Sequence, residues 1–217
     1  MLYKYFLGGY DNNLSYLIWC PKSFKAAVID PAVNPKKIIE FINDNNLILD
    51  KILITHSHGD HISFLNEFIN EFQNNIDCYI SNKSFYDCHN IKKFSNNEII
   101  FLGNESIKCL LTPGHYYDSS CFWIKNSNLL FTGDTMFVGR TGRTVHKGSR
   151  IKDLYESIYN ILLKLPRKTL ILSGHDYGHQ KFITIENNIK KSTFFRCKNF
   201  KEFESVMNNY EKTRKMK

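Results

Sequence analysis

The sequence predicts one α/β domain, on three observations. Short apolar or β-branched runs, each closed by polar residues or glycine, interleave with three segments of helical periodicity. No internal repeat, low-complexity linker or break in composition divides the 217 residues. With 42% hydrophobic and 14% aromatic residues, the chain has the apolar material for a packed core, which argues against wholesale disorder.

Strands are expected at residues 26–30, 51–55, 78–81, 98–102, 107–112, 120–125, 129–132 and 169–173. The triplets Gly103-Asn104-Glu105 and Asn126-Ser127-Asn128 interrupt apolar runs with residues that tolerate turn geometry, so hairpins are expected there and part of the sheet should be antiparallel. The first helix follows Asn34-Pro35, a cap and a pre-set first turn, and carries Ile38, Ile39 and Ile42 on one side. A second is spaced by Ile62, Leu65, Phe68, Ile69 and Phe72, and a third by Leu154, Ile158, Ile161, Leu162 and Leu165 before Pro166. We read residues 1–185 as the domain and residues 186–217 as its basic, helical C-terminal extension.

Twenty-nine basic against 21 acidic residues give a net charge of +8, and residues 181–217 hold ten Lys and Arg against four Glu. That tail lacks a nucleic-acid-binding signature, so it reads as a solvated helical end and no nucleic-acid partner is expected. The same charge could steer an anionic substrate toward a cleft. No apolar run approaches the roughly 18 to 20 residues of a bilayer span, and the opening Met1 to Leu7 is too short for a signal sequence, so a cytoplasmic protein with no membrane partner is expected. The six cysteines form no C-x-x-C pair and read as small buried hydrophobes.

Chemistry concentrates in Thr55-His56-Ser57-His58-Gly59-Asp60-His61, directly after a strand. Imidazole nitrogen and carboxylate oxygen ligate zinc, iron and related metals, and an irregular loop lets alternate residues face different metal positions. His115, Asp134 and His175 each follow a glycine at the end of an apolar strand, where glycine lets the backbone turn and brings the next side chain to the sheet edge. The set is five histidines and two aspartates. It exceeds a tetrahedral zinc site and suits two metals sharing a bridging carboxylate, whose expected work is hydrolysis.

In order and spacing, His-x-His-x-Asp-His at 56–61, Thr-Pro-Gly-His at 112–115, Gly-Asp-Thr at 133–135 and Gly-His-Asp-Tyr at 174–177 resemble the metallo-β-lactamase superfamily. The resemblance implies an αββα sandwich with the metals at one sheet edge. It implies that His56, His58 and His115 bind one metal, that Asp60, His61 and His175 bind the other, and that Asp134 bridges them. Asp60 would also orient the attacking hydroxide, and Asp30, in Val28-Ile29-Asp30-Pro31, would support the metal loop from outside the ligands.

The run from Gly133 to Thr144 and the opening from Gly8 to Leu17 resemble the glyoxalase II-like branch, which implies a small-molecule thiol conjugate as substrate. Arg143 and Tyr177 fall where that branch touches glutathione, and an arginine fork can take a carboxylate bidentately. The expected enzyme is thus a thioester hydrolase using two divalent ions, zinc or zinc with iron. Three features depart from glyoxalase II: only 42 residues follow His175, Val145 stands where an aromatic is expected, and Phe64 replaces a glycine.

The short C-terminus, His175-Asp176-Tyr177-Gly178 and Thr184-Ile185-Glu186 are similar to persulfide dioxygenases. That alternative implies one Fe(II) on a facial triad of His56, His115 and Asp134, oxidising glutathione persulfide, with the other four histidine and aspartate residues around it. A non-catalytic binding module is disfavoured by the intact ligand set, and a nuclease by the lack of room for an inserted domain. Oligomeric state is left open.

Overall fold

The computed structural model describes residues 1–73 and 75–215. Two six-stranded sheets face one another. The first runs in chain order through β1 (Leu2–Gly8), β2 (Asn13–Trp19), β3 (Lys25–Ile29), β4 (Ile48–Leu53), β5 (Asp77–Ser81) and β6 (Ile91–Phe94), antiparallel from β1 to β3 and parallel from there to β6. The second contains β7 (Ile99–Leu102), β8 (Glu105–Leu111), β9 (Ser120–Ile124), β10 (Leu129–Gly133), β11 (Leu170–Ser173) and β12 (Ile183–Thr184), all antiparallel except β10 with β11.

Alternation of side chains along the strands assigns residues to three layers of core. Tyr16, Ile18, Ala27, Ile29 and Leu53 meet Ile107, Cys109, Phe122, Phe131 and Leu172 between the sheets. The intervening residues Leu17, Val28 and Ile52 face α1 (Lys36–Asp44) and α2 (Leu65–Glu71). On the far side, Cys121, Leu130 and Ile171 pack against α3 (Ile151–Glu156), α4 (Ile185–Lys191) and α5 (Phe200–Lys215). The result is the αββα sandwich. Both faces of the central strands are buried, which is why they read as near-continuous apolar runs.

All eight expected strands are present, shifted by up to three residues at their ends. The Gly103 turn joins β7 to β8 with Gly103 at φ +58°, and Asn128 at φ +53° closes the β9–β10 connection. Four strands lie outside the expectation: β1, β2, β6 and the two-residue β12. Asn34 Oδ1 accepts from Lys36 N at 3.0 Å and starts α1. The second helix begins at Leu65, later than Ile62 suggests. The third is α-helical only to Glu156; a π turn over Ser157–Ile161 and a 3-10 turn over Leu162–Lys164 then keep Leu154, Ile158 and Leu162 on one buried face.

Beyond residue 185 the chain is largely helical, with Thr184 capping α4 through the amide of Asn187. It is packed as well as solvated: Phe203 and Met207 of α5 are buried in the core that holds α3, while Lys201 and Lys212 are exposed. Residues 216–217 of the extension lie outside the described residues. All six cysteines are free thiols, and no helix among the described residues is long and apolar enough to cross a membrane.

Candidate metal centre

The centre lies where β3, β4, β8, β10 and β11 end. The β3 end contributes Asp30, buried and at φ +50°. Asp30 Oδ1 accepts from Thr55 N at 2.8 Å, and Oδ2 accepts from Thr55 Oγ1 at 2.7 Å. These bonds fix the segment after β4 that delivers His56 to His61. The β10 and β11 ends are joined by Gly174 N donating to Gly133 O at 2.9 Å. Gly174 has to be glycine: a Cβ there would lie 2.5 Å from His61 Cε1 and 2.6 Å from Asp134 Oδ1.

All seven expected ligands come together, in two overlapping groups. His56 Nε2 and His115 Nε2 lie 3.0 and 3.1 Å from His58 Nδ1. His61 Nε2 and His175 Nε2 are 3.2 Å apart, with Asp60 Oδ2 3.3 Å from the latter. Asp134 reaches both groups: Oδ2 is 3.5 Å from His115 Nε2, and Oδ1 is 3.2 and 3.4 Å from His61 and His175 Nε2. The donor sets His56/His58/His115 and Asp60/His61/His175 each converge within 4.8 Å, as does His56/His61/Asp134.

Outer partners hold the imidazoles in this orientation. Nδ1 of His61 lies 2.8 Å from Asp30 Oδ2, Nδ1 of His175 lies 2.7 Å from the Asp11 carbonyl, and Nδ1 of His115 lies 2.9 Å from the Arg143 carbonyl. Nδ1 of His56 lies 3.1 Å from Thr55 Oγ1. With Nδ1 engaged outward, Nε2 of each is turned inward, the arrangement by which proteins orient metal-bound histidine.

The residues fit a metal. Burial and the neighbouring imidazoles hold His56 well below the ordinary histidine range; burial and His115 lower His58 to about 4, and burial also lowers His115. All three shifts favour the neutral, metal-binding ring, and Nδ1 of His115, set against a carbonyl, carries its proton outward and leaves the Nε2 lone pair facing inward. Around the other group the carboxylates prevail over burial, raising His61 through Asp134 and Asp30 and His175, to about 9, through Asp134. Asp134 Oδ1 is buried and approached by His61 and His175 Nε2 without a well-aligned hydrogen bond. Imidazole lone pairs beside such a buried carboxylate oxygen make a cradle for cations.

The centre opens into a cavity of about 550 Å³. Tyr177 stacks on His175 with centroids 4.6 Å apart and planes at 4°, and its hydroxyl donates to Asp11 Oδ2. Arg143 also lines the cavity, yet its Nε and Nη2 donate to the two carboxylate oxygens of Glu211 on α5, both at 2.7 Å. The sequence reading did not single out Asn13, whose Nδ2 donates to Asp60 Oδ2 at 2.9 Å, nor Asp11, Arg140 or Glu211. Asn13 and Asp11 stand in the opening segment already noted for its resemblance, the one signal that could have found them. Glu211 carries no motif.

A model of the metallo-beta-lactamase superfamily matches residues 8–175. The chain is 27% identical to the probable polyketide biosynthesis zinc-dependent hydrolase BaeB of Bacillus velezensis, over 91% of this chain and 88% of that protein. It is 35% identical to hydroxyacylglutathione hydrolase of Francisella tularensis subsp. novicida, over 80% of this chain and 67% of the relative. The crystal structure of ETHE1 from Myxococcus xanthus covers 97% of this chain with a TM-score of 0.88 at 26% identity, and 91% of that chain is covered in turn. Sharing this sandwich, and matched from the β1–β2 turn to His175, the chain belongs to the metallo-β-lactamase superfamily and to its glyoxalase II-like branch.

Proposed function

We propose that this protein is a metal-dependent hydrolase that cleaves the thioester of a small thiol conjugate such as a hydroxyacylglutathione. The observation that carries the reading is Asp134, which turns one oxygen toward His115 and the other toward His61 and His175. His56, His58 and His115 would hold one divalent ion, Asp60, His61 and His175 a second, and Asp134 both. Bound there, zinc or zinc with iron supplies Lewis acidity that polarises a carbonyl and lowers the pKa of water. Asp60, held by Asn13, would orient the attacking water. Phe137 and Tyr177 form an aromatic wall for the conjugate, and the guanidinium groups of the cleft suit an anionic thiol portion. The free thiols suit the reducing cytoplasm, where we place the protein.

Persulfide oxidation at one iron is the second reading. It is favoured by the near end-to-end match with ETHE1. Elemental analysis of protein purified without added metal, paired with assays of S-lactoylglutathione cleavage and of oxygen uptake with glutathione persulfide, separates the two. About two metals per chain with thioester turnover supports hydrolysis. One iron per chain with oxygen uptake and no thioester turnover overturns it in favour of the dioxygenase.

A further inference from the structure

Three guanidinium groups line the cleft, those of Arg140, Arg143 and Arg214. They are not equivalent. Arg143 spends its fork on Glu211, so the residue expected to clamp a substrate carboxylate instead ties the loop after β10 to α5.

Arg140 is held without being neutralised. Its backbone is fixed by Phe137 N donating to Arg140 O at 2.8 Å. Its guanidinium carbon lies 4.4 Å from the Tyr177 ring centroid, 4.9 Å from that of Phe137 and 5.5 Å from that of Tyr210. No carboxylate among the described residues pairs with it. Three aromatic faces limit the rotamers of this half-buried side chain and attract its charge, and its N–H edge has no protein hydrogen-bond partner among the described residues. Because Tyr177 stacks on His175, this edge is one ring away from the metal centre. A pre-positioned guanidinium in a cleft, lacking a counter-ion, is completed by an anionic ligand.

We propose that Arg140, assisted by Arg214 at the rim, is the specificity-determining residue that receives the anionic end of the substrate's thiol portion, and that Arg143 holds α5 in place as the wall of that subsite. The shared ligand chemistry is a carboxylate, as in a glutathione-type thiol, or a phosphate, as in a pantetheine-type thiol. The identity of the ligand rests on the thioester reading; the anion site itself does not.

The test compares the holoenzyme with Arg140→Gln and Arg140→Lys. Substrates are S-lactoylglutathione, an acetyl phosphopantetheine thioester and the neutral S-acetyl-N-acetylcysteamine. Calorimetry measures binding of the non-hydrolysable S-methylglutathione and S-methylphosphopantetheine. Arg140→Gln should raise KM for the preferred anionic thioester about tenfold or more, with kcat within about twofold and the neutral thioester unaffected. The matching thioether should lose affinity by a similar factor, and Arg140→Lys should fall between. Which thioether binds the wild type distinguishes carboxylate from phosphate. Unchanged thioether affinity in Arg140→Gln, failure of the wild type to bind either thioether, or an equal effect on the neutral substrate would overturn the proposal. If no thioester is cleaved, the hydrolase reading fails, and the thioether comparison still decides the anion site.

Discussion

Asp30 shows how one buried residue serves both fold and centre. It accepts from Thr55 twice and faces His61 Nδ1, so the end of β3, the loop after β4 and an inward Nε2 depend on one carboxylate. Asp30→Ala should weaken metal binding about 10- to 100-fold, the usual effect of removing an outer partner of a ligand. It should also destabilise the fold by about 3–5 kcal/mol, because buried donors lose their acceptor. Chelator competition and urea unfolding measure the two effects, and a variant with unchanged metal affinity would show that His61 does not need Asp30. Asp134→Ala is more drastic, since it removes an oxygen from each donor group: metal content by elemental analysis and thioester turnover should fall together. The seven converging histidines and aspartates were legible in the sequence because their density and the glycine before each later one are local features. Their outer partners were not: the Asp11 carbonyl reaches His175 across 164 residues and Glu211 reaches Arg143 across 68, and such pairings exist only once the sheets have assembled.

At the scale of elements, strands with both faces buried announce themselves by composition, which is why β3, β10 and β11 could be read directly. β1 could not, because LYKYFLG leaves Leu2, Lys4, Tyr5 and Leu7 exposed with no clean alternation and is ordered by its pairing with β2. In β2, Asn13 and Ser15 are buried polar residues used by the centre and by the loop after β3, and they break the apolar pattern. The helical extension was legible as helix; its role as a cleft wall was not. Phe203 anchors α5 with its ring 5.6 Å from Tyr155. Phe203→Ala should cost about 3–5 kcal/mol in urea unfolding and, by loosening α5, raise KM for anionic substrates while leaving kcat near its wild-type value. A KM that stays fixed would separate α5 from the cleft.

The β3–β4 pairing carries a pH-dependent contribution. Burial works against ionisation of Asp50, but Lys51 at 2.6 Å and Lys25 at 3.2 Å hold its carboxyl below the usual range. A lowered folded-state pKa means stability that is present above the unfolded carboxylate value, about 3.9, and lost as pH falls through the lower folded value. With both partners partly in solvent, the contribution is below about 1 kcal/mol. Asp50→Asn should therefore lower the urea midpoint slightly at pH 7, and the difference from wild type should shrink toward pH 3. A difference that persists unchanged at low pH would assign it to packing.

Over the whole molecule, the charge and the site point the same way. A net charge of +8 surrounds a cleft whose wall carries Arg140, Arg143 and Arg214, and among the described residues only Arg143 is paired there with a carboxylate, Glu211. Such a field draws anions toward the metal centre and is screened over about 10 Å at 0.1 M salt. For an anionic thioester, kcat/KM should fall several-fold as salt rises from about 10 mM to 0.15 M. For a neutral thioester of similar size it should hardly change, and Arg140→Gln should flatten the dependence for the anionic one. The comparison separates long-range attraction from local recognition: a salt effect that survives Arg140→Gln belongs to the overall charge, and one that disappears belongs to the cleft. Equal salt dependence for charged and neutral substrates would mean that salt acts on the centre itself, leaving the positive balance of the chain no part in substrate capture.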